Sequence, residues 1–259
     1  MGREFPWIGI GVAPVFAEFL VNAKDEDAPR VGREDAMSDG RTAEAEKLVE
    51  RVRQMRTERP VGNALLERLN QNTLTVEHLK RFVAVEEKAH HAELAVYGLF
   101  MTRFPHSPVV DFYARLSELI TGALPKLLEC ARALGMAERD LVRWPAEWEA
   151  YAFNSTLSWI ALTGSQASGA LALHTDMTIY FSGCAEIAAG VREKQLPVPE
   201  EFFTYYDGGH PEELMRQALE TVQDGLDRGD DPDEAVFRAR LLEESIGRFW
   251  KAAADLRLE

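Results

Sequence analysis

From residue 42 onward, apolar positions recur at intervals of three and four, and proline and glycine fall where helices would stop. The spacing predicts a helix over 43–57, ahead of Pro60, and a short one around 65–69. Thr75 is placed to cap a long helix reaching Arg103. Ser107 followed by Pro108 reads as an N-cap with proline at the first helical position. It would open a helix over 109–134 that Pro125 should kink and Gly135 should end. The stretch 147–163 is apolar enough to predict a central helix ending at Gly164, with Trp148, Tyr151 and Trp159 in the core. A helix over 168–192 is rich in alanine and glycine, which lets neighbours approach closely. Pro197 and Pro199 then break the pattern, and FFTYYDGGH reads as an aromatic, glycine-rich turn. Helices resume over 211–226 and from Asp231 and Pro232, the last carrying Leu241, Leu242, Ile246, Phe249 and Trp250 at core spacing. Strand alternation and long internal repeats are absent from the sequence, so the expected fold class is all-α, a multi-helical bundle over 42–259.

Residues 1–41 read differently. The apolar run 5–21 is interrupted by Pro6, Gly9, Gly11, Pro14 and Glu18 and follows a single arginine, which argues against an export signal. The charged stretch after it contains Pro29 and two glycines, the composition of an arm or linker. No stretch is apolar enough to span a bilayer. With 43 acidic against 29 basic residues, a net charge of -14 repels phosphate backbones and anionic lipid, so neither nucleic acid nor membrane is an expected partner. Cys130 and Cys184 lack metal-binding or disulfide-scaffold spacing and read as reduced thiols of a cytoplasmic protein.

Four segments, RFP at 103–105, LLECARALGM at 127–136, EAYAFNSTLSWIALTGS at 149–165 and LLEESIGRFWKAA at 241–253, resemble in order and spacing the TenA/PqqC group of heme-oxygenase-like helix bundles. The resemblance spans roughly 65–253 and implies a central pocket, a homodimer or homotetramer, and a small-molecule substrate, aromatic or heterocyclic. The group includes thiamine-salvage hydrolases, a cofactor-free quinone-forming oxidase and dimetal oxidases. In the hydrolases a cysteine nucleophile stands four residues before a tyrosine. Tyr180 matches that tyrosine, but Asp176 occupies the cysteine position, and a carboxylate cannot simply replace a thiolate as nucleophile. Their C-terminal signature places a glutamate three residues before a Phe-Trp pair. Phe249 and Trp250 are present, but the glutamate position is Ile246, with Glu243 one turn earlier. Dimetal relatives pair a glutamate with a histidine seven positions later. Glu118 is available, but Pro125 takes the histidine position, and Tyr206, His210 and Glu213 stand for the remaining ligands. The cofactor this branch brings in is non-heme iron, with an altered ligand set.

The densest titratable cluster is VEEKAHHAE. Glu86 with His90 and Glu87 with His91 are one turn apart, while Glu87 and His90 make an ExxH spacing. A second ExxH is absent from the sequence, and the ordinary reading of such a run is a solvated helix face. Glu86, His90 and Glu93 share one face, which could look into a pocket. Asp176 and Tyr180 are also one turn apart, on a helix of small and apolar residues where an acid is costly unless paired or in a cavity. His174 lies about 200 degrees around that helix from Asp176. Tyr205, Tyr206, Asp207 and His210 read as capping groups or as a lid. The candidate catalytic groups are therefore Asp176, Tyr180, Glu243 and Glu86, and the candidate substrate contacts are Tyr151, His90, Tyr206 and Phe249. Any metal would draw on Glu87, His90, His91, Glu118 and His210. The expected function is an enzyme of small-molecule metabolism. A metal-dependent oxidase and a non-catalytic ligand-binding member of the fold stand as alternatives.

Overall fold

A computed structural model describes residues 41–141, 144–209 and 211–256. The expected arm therefore lies outside the described residues save for Arg41. In chain order the helices are α1 (Ala43–Glu58), α2 (Ala64–Asn70), α3 (Val76–Arg103), α4 (Val109–Ala133), α5 (Glu138–Leu141), a 3-10 turn (Trp148–Tyr151), α6 (Ala152–Thr163), α7 (Gln166–Glu193), α8 (Glu200–Tyr206), α9 (Glu212–Asp227) and α10 (Pro232–Ala254). No strand occurs among the described residues.

Local chemistry sets the helix ends. The Thr75 backbone N–H donates to His78 Nδ1 at 3.1 Å, a capping box in which histidine takes the usual glutamate role. Asn63, Ser165 and Asp231 accept backbone N–H groups at the starts of α2, α7 and α10. The start of α1 is capped from a distance, because Gln223 Oε1 on α9 accepts from the N–H groups of Glu44 and Ala45, both at 3.2 Å. Orphan donors at a helix end need such partners.

α7 runs through the core and packs most extensively on α10 and α9. Its glycines permit this. A Cβ at Gly169 would lie 2.3 Å from Phe100 Cζ, and one at Gly190 would lie 2.1 Å from Leu69 Cδ2. α3 packs against α4, α6 and α10 and turns Phe82, Tyr97 and Phe100 fully inward.

Several expectations need correction. Pro108, not Ser107, precedes the first residue of α4, and the Ser107 hydroxyl instead donates to Asp111 Oδ2 at 2.6 Å. Segment 147–163 is not one helix but a 3-10 turn followed by α6. Two of its aromatics are not core, Trp148 being 65% and Trp159 40% exposed. Arg238 lies 4.1 Å over the Trp159 ring, so this indole is satisfied at the surface by a cation on its face. Tyr151 is half-buried against the core. The aromatic turn is in fact helical through Tyr206, with Pro199 preceding its first residue and Glu200 and Glu201 favouring the positive end of α8.

Candidate functional site

Spacings of four, three and four set Glu86, His90, Glu93 and Tyr97 in a row on α3, and all four are buried. Across from them lie Asp176, Tyr180 and Cys184 of α7, a row at intervals of four, and Tyr205 and Tyr206 from the end of α8. His90 joins the groups. Its Nδ1 lies 2.9 Å from Glu93 Oε2, and its Nε2 meets the Tyr205 hydroxyl, which also donates to Glu86 Oε1 at 3.2 Å. Tyr180 and Tyr97 face Glu86 and Glu93 closely enough to act on their ionisation. Two polar atoms of the cluster, Glu86 Oε2 and the Tyr206 hydroxyl, are buried without a hydrogen-bond partner.

The surroundings are aromatic. Tyr180 stacks on Trp250 at 5.8 Å between ring centroids and meets Phe249 edge-on at 6.1 Å, while Phe82 stacks on Tyr206 at 4.4 Å. Flat apolar walls with a few inward polar groups are how small-molecule sites are built.

Burial in this setting penalises charge. It pushes the Glu86 carboxyl up to about 7, against the pull of His90 toward ionisation. Burial also carries Asp176 well above the usual carboxylate range, and the fields of Glu93 and Glu86 push it further. For His90 burial opposes the imidazolium, yet the Glu93 hydrogen bond and the charges of Glu86 and Glu93 outweigh it and hold the imidazole above its ordinary value. Burial drives the Cys184 thiol far up, with Glu86 adding to the effect, so this thiol stays protonated at neutral pH.

Of the residues singled out in the sequence, Glu86, His90, Asp176, Tyr180, Tyr206 and Phe249 come together here. The exposed-face reading of VEEKAHHAE holds only for its other side, where His91 is exposed and pairs with Glu87 at 3.0 Å. Glu118 is exposed on α4. Glu243 is wholly buried elsewhere, bonded to Arg56 and, at 2.8 Å, to Arg240, whose guanidinium also donates to the Arg59 carbonyl at 2.7 Å. Tyr151 takes no part in the hydrogen bonds of the cluster among the described residues. His174 is buried apart from Asp176 with an unpartnered Nδ1, and burial, with the Arg56 charge, pushes it down to about 4.

A metal is poorly served. Among the described residues no three histidine, cysteine, aspartate or glutamate side chains converge to hold one. Glu93 and Glu86 sit at opposite ring nitrogens of His90, so the imidazole bridges them where a metal site would aim all three at one point. His210, the remaining candidate ligand, lies outside the described residues.

The sequence placed Glu93 on the shared face without naming it a site residue, read Tyr205 only as a capping group or lid, and left Tyr97 unmentioned. Glu93 and Tyr97 carry a legible signal, their spacing from His90. Tyr205 carries none, since only the packing of α8 brings it to α3.

No protein-family model and no curated protein matches the chain. Solved structures do. A TenA homologue from Pyrococcus furiosus superposes with a TM-score of 0.59 at 19% identity, covering 81% of this chain and 99% of its own. A TenA homologue from P. horikoshii OT3 gives 0.59 at 15% identity, covering 84% and 97%. One from Pseudomonas syringae pv. tomato gives 0.59 at 12% identity, covering 88% and 98%. At such identities the likeness speaks for architecture alone: the chain has the all-α, heme-oxygenase-like bundle fold of the TenA homologues.

Proposed function

We propose that this chain is a divergent TenA/PqqC-like enzyme that performs acid–base chemistry on a small aromatic or heterocyclic metabolite held among α3, α7, α8 and α10. The observation that carries the reading is the interior cluster, in which the carboxyls of Glu86, Glu93 and Asp176 act on one another around a single imidazole. Folding gains nothing from burying like charges, and a stability-driven core would have replaced them with apolar side chains. Perturbed carboxyls in such a setting mark functional groups. Glu86, with one free oxygen, serves as base, and the protonated Asp176 serves as acid. Tyr180 orients the bound molecule, and His90, Tyr206 and Phe249 line it. Cysteine attack is disfavoured by the protonated Cys184, which stands two turns beyond the matched nucleophile position.

The free, buried cysteines suit a cytoplasmic protein. The exposed Trp159, Leu162 and Phe237 suit the expected homo-oligomer. The test is turnover against panels of aminopyrimidines and quinone-like compounds, with Asp176→Asn beside the native chain. The expected result is activity in the native protein and its loss in the variant at a melting temperature that is not lowered. A destabilised variant with undiminished activity per folded molecule would sink the assignment.

A further inference from the structure

We infer that Glu86, Tyr205 and His90 form a two-state proton wire, anchored by Glu93, through which Glu86 gives up and recovers a proton without contact with bulk water. The inference rests on the acid–base reading of Glu86 above and assigns a task to three groups beside it.

Geometry makes Tyr205 the bridge. Glu86 Oε1 and His90 Nε2 are 3.6 Å apart, too far for a good direct hydrogen bond, and the Tyr205 hydroxyl meets both. A phenol hydroxyl has one proton to donate and lone pairs to accept with, so, with Glu93 as the acceptor at His90 Nδ1, two arrangements satisfy all the contacts. In one, a protonated Glu86 donates to Tyr205, Tyr205 donates to His90 Nε2, and Nδ1–H donates to Glu93. In the other, an imidazolium donates from Nε2 to Tyr205, Tyr205 donates to a Glu86 carboxylate, and Nδ1–H still donates to Glu93. They interconvert when the Glu86 O–H bond breaks toward Tyr205 Oη and the former Tyr205 proton passes to His90 Nε2. Glu86 gains a negative charge, His90 a positive one, and the sum is unchanged.

Two further observations fit. Glu86 Oε1 is engaged in the wire, while Oε2 is buried and free, so one carboxyl has a side for the wire and a side for a ligand. The groups that face the wire act on it in opposite directions. From α3, Glu93 and Glu87 favour the imidazolium, and Tyr97 faces Glu93. From α7 come Asp176, Tyr180 and Cys184, and from α8 Tyr206, in a buried setting that disfavours separated charges. Burial raises the Glu86 carboxyl to about 7, and the carboxyls around His90 hold its imidazole above its ordinary value.

The experiment is ring-nitrogen NMR of histidine-labelled full-length chain, with His90 assigned by its loss in His90→Gln. In the native protein, neutral His90 should carry its proton on Nδ1, with Nε2 alone gaining a proton as pH falls. Tyr205→Phe should keep the Nδ1 proton and shift the Nε2 resonance to its unbonded position. Glu93→Gln should let the Nε2–H tautomer appear, and Tyr206→Phe, which removes a hydroxyl not bonded to the wire, should leave the His90 ring tautomer as it is. A native neutral His90 protonated on Nε2, or identical Nε2 resonances in native and Tyr205→Phe proteins, would overturn the wire. Turnover on the same panels separates the two ideas. Activity lost in Glu86→Gln with kcat unchanged in Tyr205→Phe would sink the wire and spare the acid–base reading. The expected spectra with a fully active Glu86→Gln would sink that reading and spare the wire.

Discussion

Two buried acidic clusters of this bundle can be set side by side. Around Glu243, an acid with no exposed surface is matched by two guanidiniums, Arg56 and Arg240, and Arg240 also ties α10 to the Arg59 carbonyl and pairs with Glu244 on its own helix at 3.1 Å. Around Glu86, three carboxyls confront one imidazole, and one carboxylate oxygen has no partner. Burial is alike in the two places, and compensation is what differs. A matched cluster holds helices in register, whereas an undermatched one is held by the rest of the fold at a cost in stability. An acid's burial therefore says little about its role until its partners are counted.

The largest expected effect breaks the matched cluster. Arg240→Ala leaves Glu243 with Arg56 alone and frees the Arg59 carbonyl, and should destabilise the protein by about 3–5 kcal/mol, roughly 10 °C in melting temperature. A shift of under about 2 °C would show that the cluster does not hold α1 to α10. The same change should leave the Glu86 site intact per folded molecule.

Next comes the undermatched cluster, where removing an acid should have the opposite sign. With Glu86 raised to about 7 from an ordinary 4.5, the native state binds more protons than the unfolded one between those values. Stability is therefore lost as pH rises through that window. Glu86→Gln should remove this slope and gain on the order of 1–3 kcal/mol over the native chain above pH 7, the gain vanishing below about pH 4.5, while activity falls. Parallel stability curves for the two proteins would place Glu86 outside the strained set.

A smaller effect of reversed slope belongs to His174. Pushed down to about 4 from an ordinary 6.5, it leaves the unfolded chain binding the extra proton between those values, so stability is lost as pH falls through them. His174→Gln should soften acid unfolding by about 1–2 kcal/mol near pH 4, read by denaturant melts across pH. The smallest effect is expected at His91, exposed and paired only with Glu87 on its own helix. His91→Gln should change stability by less than about 0.5 kcal/mol and leave metal content and turnover as they were, which activity and metal analysis would check.

By itself the sequence determined the helices with strong punctuation. Asp231 followed by Pro232 opens α10, Thr75 opens α3, and the glycines of α7 admit its neighbours, because caps, proline and small side chains act within one or two turns. It also determined that Glu86, His90 and Glu93 share a face and that Asp176 stands one turn from Tyr180, since periodicity fixes direction around a helix axis. Which face turns inward was left to the tertiary structure, for the charged side of α3 could as well have met water. The packing of α7 and α8 against α3 buried it, drew Tyr205 onto His90, sent Glu243 to two arginines, and left Trp159 at the surface under Arg238. Tyr205 and His90 are 115 positions apart and Arg56 and Glu243 187, so their proximity is set by how whole helices pack and not by any local spacing.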